Sequence, residues 1–109
     1  MDTFSRLSCV DAKKMLDNAQ LNIVDIRDEQ SFAAGHIRNA VHLDNTRVAN
    51  FIQDTDPDAP LIVCCYHGHS SQQASQYFVE QGFDEVYSLD GGFTEWVEKY
   101  PEDCEQSST

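Results

Sequence analysis

One stretch constrains this chain more than any other. Residues 61–71 run from an apolar segment through two cysteines into a loop with one glycine and two histidines, and end in a serine pair. The unbroken apolar run is typical of a strand covered on both faces, and serine commonly begins a helix. A tight loop that leads from a strand into a helix N-terminus directs backbone N–H groups at an anion. The stretch therefore predicts an anion-stabilising loop at the end of a central strand.

Strand-like and helix-like patterns alternate along the rest of the chain. Strands are predicted at 3–7, 21–26, 40–43, 60–65 and 85–89. Helices are predicted after Ser8, at 30–33, at 48–52, from Ser70 to Gly82 and at 93–100. The connections are too long for hairpins and are repeatedly helical, which favours parallel strands. The pattern predicts an α/β fold of three layers, with a mainly parallel five-stranded central sheet and helices on both faces.

Two details of the helices are specific enough to check. Ser8 and Ser70 each precede a polar residue three positions on, a spacing typical of a capping box, so both are expected to cap helices. Four apolar residues share the i, i+3, i+4, i+7 spacing of a core-facing helix. They are Phe93, Trp96, Val97 and Tyr100.

Length and composition predict one domain. The 109 residues are 40% hydrophobic and 24% charged, as in ordinary globular domains. We expect the domain to span residues 1–101, with 102–109 as a disordered tail. The N-terminus resembles no secretion signal and no apolar stretch is long enough to span a membrane, so the cytoplasm is expected. Four cysteines in a poor disulfide pattern, two of them adjacent, are expected to be free thiols.

Charge excludes some partners. The net charge is −12, and residues 48–109 carry twelve acids against one basic residue, Lys99. Nucleic acid and anionic membranes should be repelled, because both are bound through Lys and Arg. Residues 59–79 contain no charged side chain. This neutral window is compatible either with a site for a small anion or with a buried strand followed by a buried helix face.

Cys65 is the candidate nucleophile. If its thiolate sits among loop N–H groups, its pKa falls and the sulfur becomes reactive near neutral pH. Gly68 lets the backbone bend around the sulfur, and His67 and His69 are expected to line the pocket. Cys64 should point to the other side of the strand and pack in the core. No metal is expected, because these cysteines and histidines lack the separated pairs of ordinary zinc sites.

Three motifs, in this order, resemble those of the rhodanese sulfurtransferases. The loop Cys-Tyr-His-Gly-His-Ser at 65–70 is similar to their active-site loop, Cys-x-x-Gly-x-x. Segment 24–43, with Asp-Ile-Arg, Gly-His-Ile and Val-His-Leu, resembles the first family signature. Segment 87–96, with Asp-Gly-Gly-Phe and a tryptophan, resembles the second. The resemblance covers roughly residues 4–100, is strongest to the small single-domain members, and implies a rhodanese-like fold.

The resemblance also implies a ping-pong reaction that needs no cofactor. Thiosulfate, or a persulfide donor, would give its outer sulfur to Cys65, and a thiol such as thioredoxin or a small dithiol, or cyanide, would take it away. The loop backbone would hold the sulfur. The loop residues concerned are Tyr66, His67, Gly68, His69, Ser70 and Ser71.

Many members of this family carry Arg or Lys in or just after the loop, where a basic side chain helps attract an anionic donor. Here those positions hold His69, Ser70, Ser71 and Gln72. The backbone is therefore expected to supply most of the anion stabilisation, and a neutral or protein-bound sulfur donor is favoured. Arg27 and Asp25 are expected either to form a polar contact behind the loop or to help bind the donor anion.

Two other functions fit parts of the pattern. A cysteine phosphatase or arsenate reductase would use a similar loop, but needs an arginine six residues after the cysteine, where Ser71 stands. A catalytically silent rhodanese-like binding module would usually lack the cysteine. The sequence therefore favours the sulfurtransferase.

Overall fold

A computed structural model describes residues 3–107. The strands are β1 Ser5–Leu7, β2 Asn22–Asp25, β3 His36–Ile37, β4 Val41–His42, β5 Leu61–Cys64, β6 Val86–Leu89 and β7 Cys104–Glu105. The helices are α1 Cys9–Met15, α2 Glu29–Ala34, α3 Val48–Asp54, α4 Ser70–Glu80 and α5 Gly92–Lys99, followed by a 3-10 helix, Pro101–Asp103.

The central sheet has five strands in the order β1-β6-β5-β2-β4, and every pairing is parallel. The predicted sheet is therefore confirmed, and the most apolar strand, β5, lies in its middle with all four residues buried. Helices cover both faces. One core cluster joins Trp96 of α5 to Ala12 of α1, and the other joins Phe78 of α4 to Phe51 of α3.

Caps at the helix N-termini follow the sequence in one case and depart from it in another. Ser8 caps α1 as predicted, with its hydroxyl accepting the N–H of Asp11 at 3.1 Å. Ser70 does not cap α4. It is the first helical residue, and His69 occupies the cap position without a side-chain hydrogen bond. Ser71, the second residue of α4, faces inward and is buried.

The apolar stripe on α5 is only partly buried. Trp96 is fully buried, whereas Val97 is 39% exposed. The prediction that the whole stripe packs in the core is therefore wrong at Val97. The apolar face formed by an i, i+3, i+4, i+7 pattern is wider than the surface against which α5 packs, so one edge of this face stays exposed to solvent.

Residues 102–107 are ordered, so the expectation of a disordered tail is wrong there. The 3-10 helix brings Asp103 into the body of the protein, where its carboxylate contacts Lys13 and lies 3.3 Å from Arg38 Nε. The next two residues, β7, pair antiparallel with β3. The polar composition of this segment gave no sign of order, because ion pairs and backbone hydrogen bonds hold most of it and only Cys104 packs against the core cluster. Ser108 and Thr109 lie outside the described residues.

None of the helices within residues 3–107 has the length and apolar character needed to span a bilayer.

Candidate active site

Cys65 follows β5 directly and lies at the carboxyl edge of the sheet, where α/β proteins bind ligands. Its sulfur points into the loop that leads to α4 and the residue is only 4% exposed. The N–H of Gly68 donates to Sγ at 3.2 Å and the N–H of Ser71 at 3.3 Å. The hydroxyl of Ser71 lies 3.3 Å from the same sulfur. The loop thus surrounds one atom with three hydrogen-bonding groups.

These groups make the Cys65 thiol more acidic than usual. Burial by itself opposes ionisation, but the Ser71 hydroxyl and the N–H groups of Ser71, Gly68 and His67 outweigh it and lower the pKa of Cys65. The donors are neutral, as the absence of Arg and Lys from the loop suggested. The backbone was expected to supply most of the stabilisation, and the Ser71 side chain adds a contribution larger than that of any single N–H.

Glycines shape the loop where it meets the turn before α5. Gly68 has a φ of +90°, and a Cβ there would lie 3.0 Å from Leu89 O and from Gly91 N. Gly92 has a φ of +59°, and a Cβ there would lie 2.4 Å from Tyr66 O. Neither position can accept a side chain without displacing the backbone. The two glycines let the loop and the turn come into direct backbone contact.

The first turn of α5 holds the loop from the outside. Phe93 N donates to Cys65 O at 2.9 Å, and Thr94 N donates to Tyr66 O at 3.1 Å. Free N–H groups at a helix start usually bind a capping side chain or water. Here they fix the carbonyls of Cys65 and Tyr66. The sequence analysis did not anticipate these two donors, although the Gly91-Gly92 pair lies directly before them.

Tyr66 ties the loop to a second element, α2. Its hydroxyl contacts the carboxylate of Asp28, the cap of α2, and lies 2.8 Å from the hydroxyl of Ser31. Hydrogen bonds from Tyr66 and Ser31 hold the pKa of Asp28 below its usual range. The Arg27 guanidinium lies 5.5 Å from the centre of the Tyr66 ring and 4.3 Å from that of Phe93. Both distances are within cation–π range.

Arg27 and Asp25 make the polar contact that the sequence suggested. Arg27 Nη2 lies 2.8 Å from Asp25 Oδ2 and also donates to Gly35 O at 2.6 Å, and both charged side chains are buried. These contacts occupy the guanidinium with structural partners. The arrangement favours the fold-holding role over direct binding of the donor anion.

Neither Cys64 nor any of the four histidines has a side chain that forms a hydrogen bond with the sulfur of Cys65 in the part of the chain that the structure describes. Cys64 is fully buried in the core cluster under α1 and α5, and burial raises the pKa of its thiol. His67 and His69 have exposed side chains at the rim of the loop, and Ser70 is exposed beside them. His36 and His42 are buried, and each has a ring nitrogen within 2.8 Å of a backbone carbonyl. Within residues 3–107, no cluster of three or more His, Cys, Asp or Glu could hold a metal.

Comparison with known proteins gives a consistent result. A family profile described as "Rhodanese-like domain" matches residues 8–99. The chain is 55% identical over 102 residues to thiosulfate sulfurtransferase GlpE of Pseudomonas aeruginosa (strain LESB58), covering 94% of this chain and 92% of the relative. It is 56% identical over 105 residues to the protein of the same name from Stutzerimonas stutzeri (strain A1501), covering 96% and 95% of the two chains.

Among solved structures, the chain resembles a rhodanese-like domain protein from Staphylococcus aureus. The TM-score is 0.80 with 23% identity, over 96% of this chain and 100% of the other. At this identity the match speaks for the fold alone.

Proposed function

The chain belongs to the rhodanese-like domain family, and on that premise we propose that it transfers the outer sulfur of thiosulfate through a persulfide on Cys65. Thiosulfate sulfurtransferase is the activity named for relatives more than half identical over nearly the whole chain. One observation supports the assignment to Cys65. Two backbone N–H groups and one hydroxyl, in the loop and at the start of α4, surround its sulfur.

The first half-reaction follows from the ionised thiol. The Cys65 thiolate attacks the outer sulfur of thiosulfate, a new S–S bond forms, and the S–S bond of thiosulfate breaks. Its electron pair leaves with sulfite, and the enzyme keeps a persulfide anion. The lowered pKa increases the fraction of thiolate, and attack by the thiolate needs no general base. The N–H groups of residues 66–71 are proposed to hold the persulfide sulfur as they hold the thiolate.

The second half-reaction restores the thiolate. A thiolate acceptor, such as a protein dithiol of the thioredoxin kind or a small dithiol, attacks the outer persulfide sulfur and carries it away. Cyanide would accept it as thiocyanate. We place this chemistry in a reducing compartment such as the cytoplasm, a proposal supported by the four cysteines, all of which are free thiols.

The intact mass of the protein after reaction tests the nucleophile. The wild type, incubated with thiosulfate and desalted, should gain one sulfur atom, and Cys65→Ser should gain none. Cys64→Ser is the matched control, because its thiol lies in the core, and it should still gain the sulfur. A sulfur adduct on Cys65→Ser would reject the assignment.

The donor is tested in the same experiment. If thiosulfate leaves no adduct but a small-molecule persulfide does, the enzyme class stands and the donor is wrong. The acidic surface makes this worth measuring, since a chain of net charge −12 repels a dianion.

The alternative phosphatase reading gains no support from the loop. A phosphatase would need a guanidinium where this loop places the Ser71 hydroxyl and N–H, both directed at the sulfur. A silent binding module is disfavoured because the loop is formed around an intact cysteine. Turnover of an aryl phosphate that depends on Cys65 would reverse this choice.

A further inference from the structure

Two buried hydroxyls form a chain behind the nucleophile. Ser71 Oγ lies 3.3 Å from Cys65 Sγ, and Ser88 Oγ lies 2.8 Å from Ser71 Oγ. Both serines have no exposed surface. Ser71 belongs to the first turn of α4, whereas Ser88 comes from β6. Ser88 falls within segment 87–96, but it was not among the candidate site residues. The chain therefore connects the reactive sulfur to a neighbouring strand.

Ser88 occupies a position where an apolar residue would be expected. It lies two residues after Val86, so both side chains leave β6 on the same face, and Val86 packs with Phe78 of α4. A hydroxyl buried on such a face costs free energy unless it is hydrogen-bonded. Its partner is Ser71. The Ser88 hydroxyl is thus a polar group in an apolar layer, and its hydrogen-bond partner, Ser71, contacts the sulfur of Cys65.

The direction of these hydrogen bonds depends on the charge of Cys65. The Ser71 hydroxyl has a single proton. If that proton pointed to Ser88, a lone pair of Ser71 would face the thiolate. Next to an ionised sulfur, therefore, Ser88 must donate to Ser71 and Ser71 must donate to Sγ.

We propose that Ser88 is a positioning residue for the nucleophile, whose hydroxyl donates to Ser71 and so directs the one proton of Ser71 at the sulfur of Cys65. The inference rests on the proposed function of Cys65. In the thiol form the chain can reverse, with Ser71 donating to Ser88. The bond made in the thiolate form is strengthened by the nearby charge, so Ser88 favours ionisation on balance. The Ser71 hydroxyl is also the strongest of the groups that lower the pKa of Cys65.

Alkylation of Cys65 by iodoacetamide measures the thiolate directly, without any sulfur donor. Rates are followed across pH, and fragment mass spectra assign the adduct to Cys65 rather than Cys64. Below the thiol pKa, Ser71→Ala should slow alkylation roughly tenfold, because it removes a hydrogen bond to a charged group. Ser88→Ala should slow it roughly twofold to threefold and move the midpoint of the pH profile upward.

The double variant decides whether Ser88 acts through Ser71. In a Ser71→Ala background, adding Ser88→Ala should change neither the rate nor the midpoint, since the relay is already broken. Ser75→Ala is the matched control. Ser75 lies one turn after Ser71 on α4, is equally buried, and its hydroxyl has no hydrogen-bond partner within residues 3–107. It should leave the alkylation profile unchanged.

Two outcomes would overturn the proposal. One is a Ser88→Ala profile that coincides with that of the wild type. The other is an equal effect of Ser88→Ala with and without Ser71, which would indicate altered packing. Failure of thiosulfate to load sulfur on Cys65 would count against the proposed function and leave these alkylation results intact, so the two failures are distinguishable.

Discussion

Replacing Gly68 with alanine should remove most of the reactivity of Cys65. The residue has a φ of +90°, which costs an L-amino acid about 1–2 kcal/mol. The added Cβ would also lie 3.0 Å from two backbone atoms, Leu89 O and Gly91 N, which cannot rotate away as a side chain could. The loop must therefore shift to accommodate it.

The shift acts on the nucleophile because the N–H of Gly68 donates to Cys65 Sγ at 3.2 Å. A hydrogen bond to a charged group contributes about 1.5–3 kcal/mol. Since each 1.4 kcal/mol corresponds to about a factor of ten, we expect Gly68→Ala to slow persulfide formation about tenfold to a hundredfold. The pKa of Cys65 should rise at the same time.

Gly82→Ala separates this effect from simple backbone strain. Gly82 follows α4 with a φ of +104°, but a Cβ there would meet nothing within 4 Å. The variant should lose about 1–2 kcal/mol of unfolding free energy in urea while keeping the reactivity of Cys65. Rapid-quench mass spectrometry of sulfur loading measures both variants. A Gly68→Ala variant that loads sulfur within twofold of the wild-type rate, or a Gly82→Ala variant slowed as much, would contradict a role of the Gly68 backbone in activating Cys65.

Four further predictions concern side chains and pH. His67→Gln with His69→Gln should slow sulfur loading only modestly, because both side chains are exposed at the loop rim. Tyr66→Phe should lower the unfolding free energy by about 1 kcal/mol and slow loading, because it loses the hydrogen bonds to α2. The loading rate should rise with pH and level off below the pH at which an ordinary thiol would, since the pKa of Cys65 is lowered. Stability should fall as pH rises above 9.0, the ordinary thiol value, because burial raises the pKa of Cys9 to about 12 and only the unfolded chain loses that proton in this window.

Each of these has a control or a contradicting result. Tyr77→Phe, at an exposed tyrosine of α4, should change neither stability nor loading. A loss of loading beyond about tenfold in the double histidine variant would give those rings a direct role. A rate that keeps rising to the pH of an ordinary thiol would contradict the preformed thiolate. For alkaline stability, Cys9→Ala should make the decline shallower without removing it, because burial also raises the pKa of Cys64.

Patterns of local origin predicted most of the fold. The unbroken apolar run of β5 indicated the middle of a parallel sheet, and Ser8 with Asp11 indicated where α1 begins. Both signals depend on a few neighbouring residues. Cys65 could be singled out over Cys64 for the same reason, because only Cys65 has a glycine three residues on.

Features that depend on distant residues could not be predicted. Ser88 lies 17 positions after Ser71, and the motif around it does not indicate which of its side chains contacts the loop. Ordering of the segment after Pro101 depends on Lys13, far away in the sequence. Which edge of the α5 stripe stays in solvent depends on the width of the sheet beneath it, so Val97 could not be distinguished from Trp96.

The hydrogen bonds from the first turn of α5 also make the loop around Cys65 depend on a later part of the chain. Cys65 leaves the ribosome well before Phe93 and Thr94, whose N–H groups hold the loop carbonyls. Until those residues have been added and have packed, the loop lacks this outer support. A chain that stops before Phe93 would therefore lack both hydrogen bonds that hold the loop carbonyls from the outside.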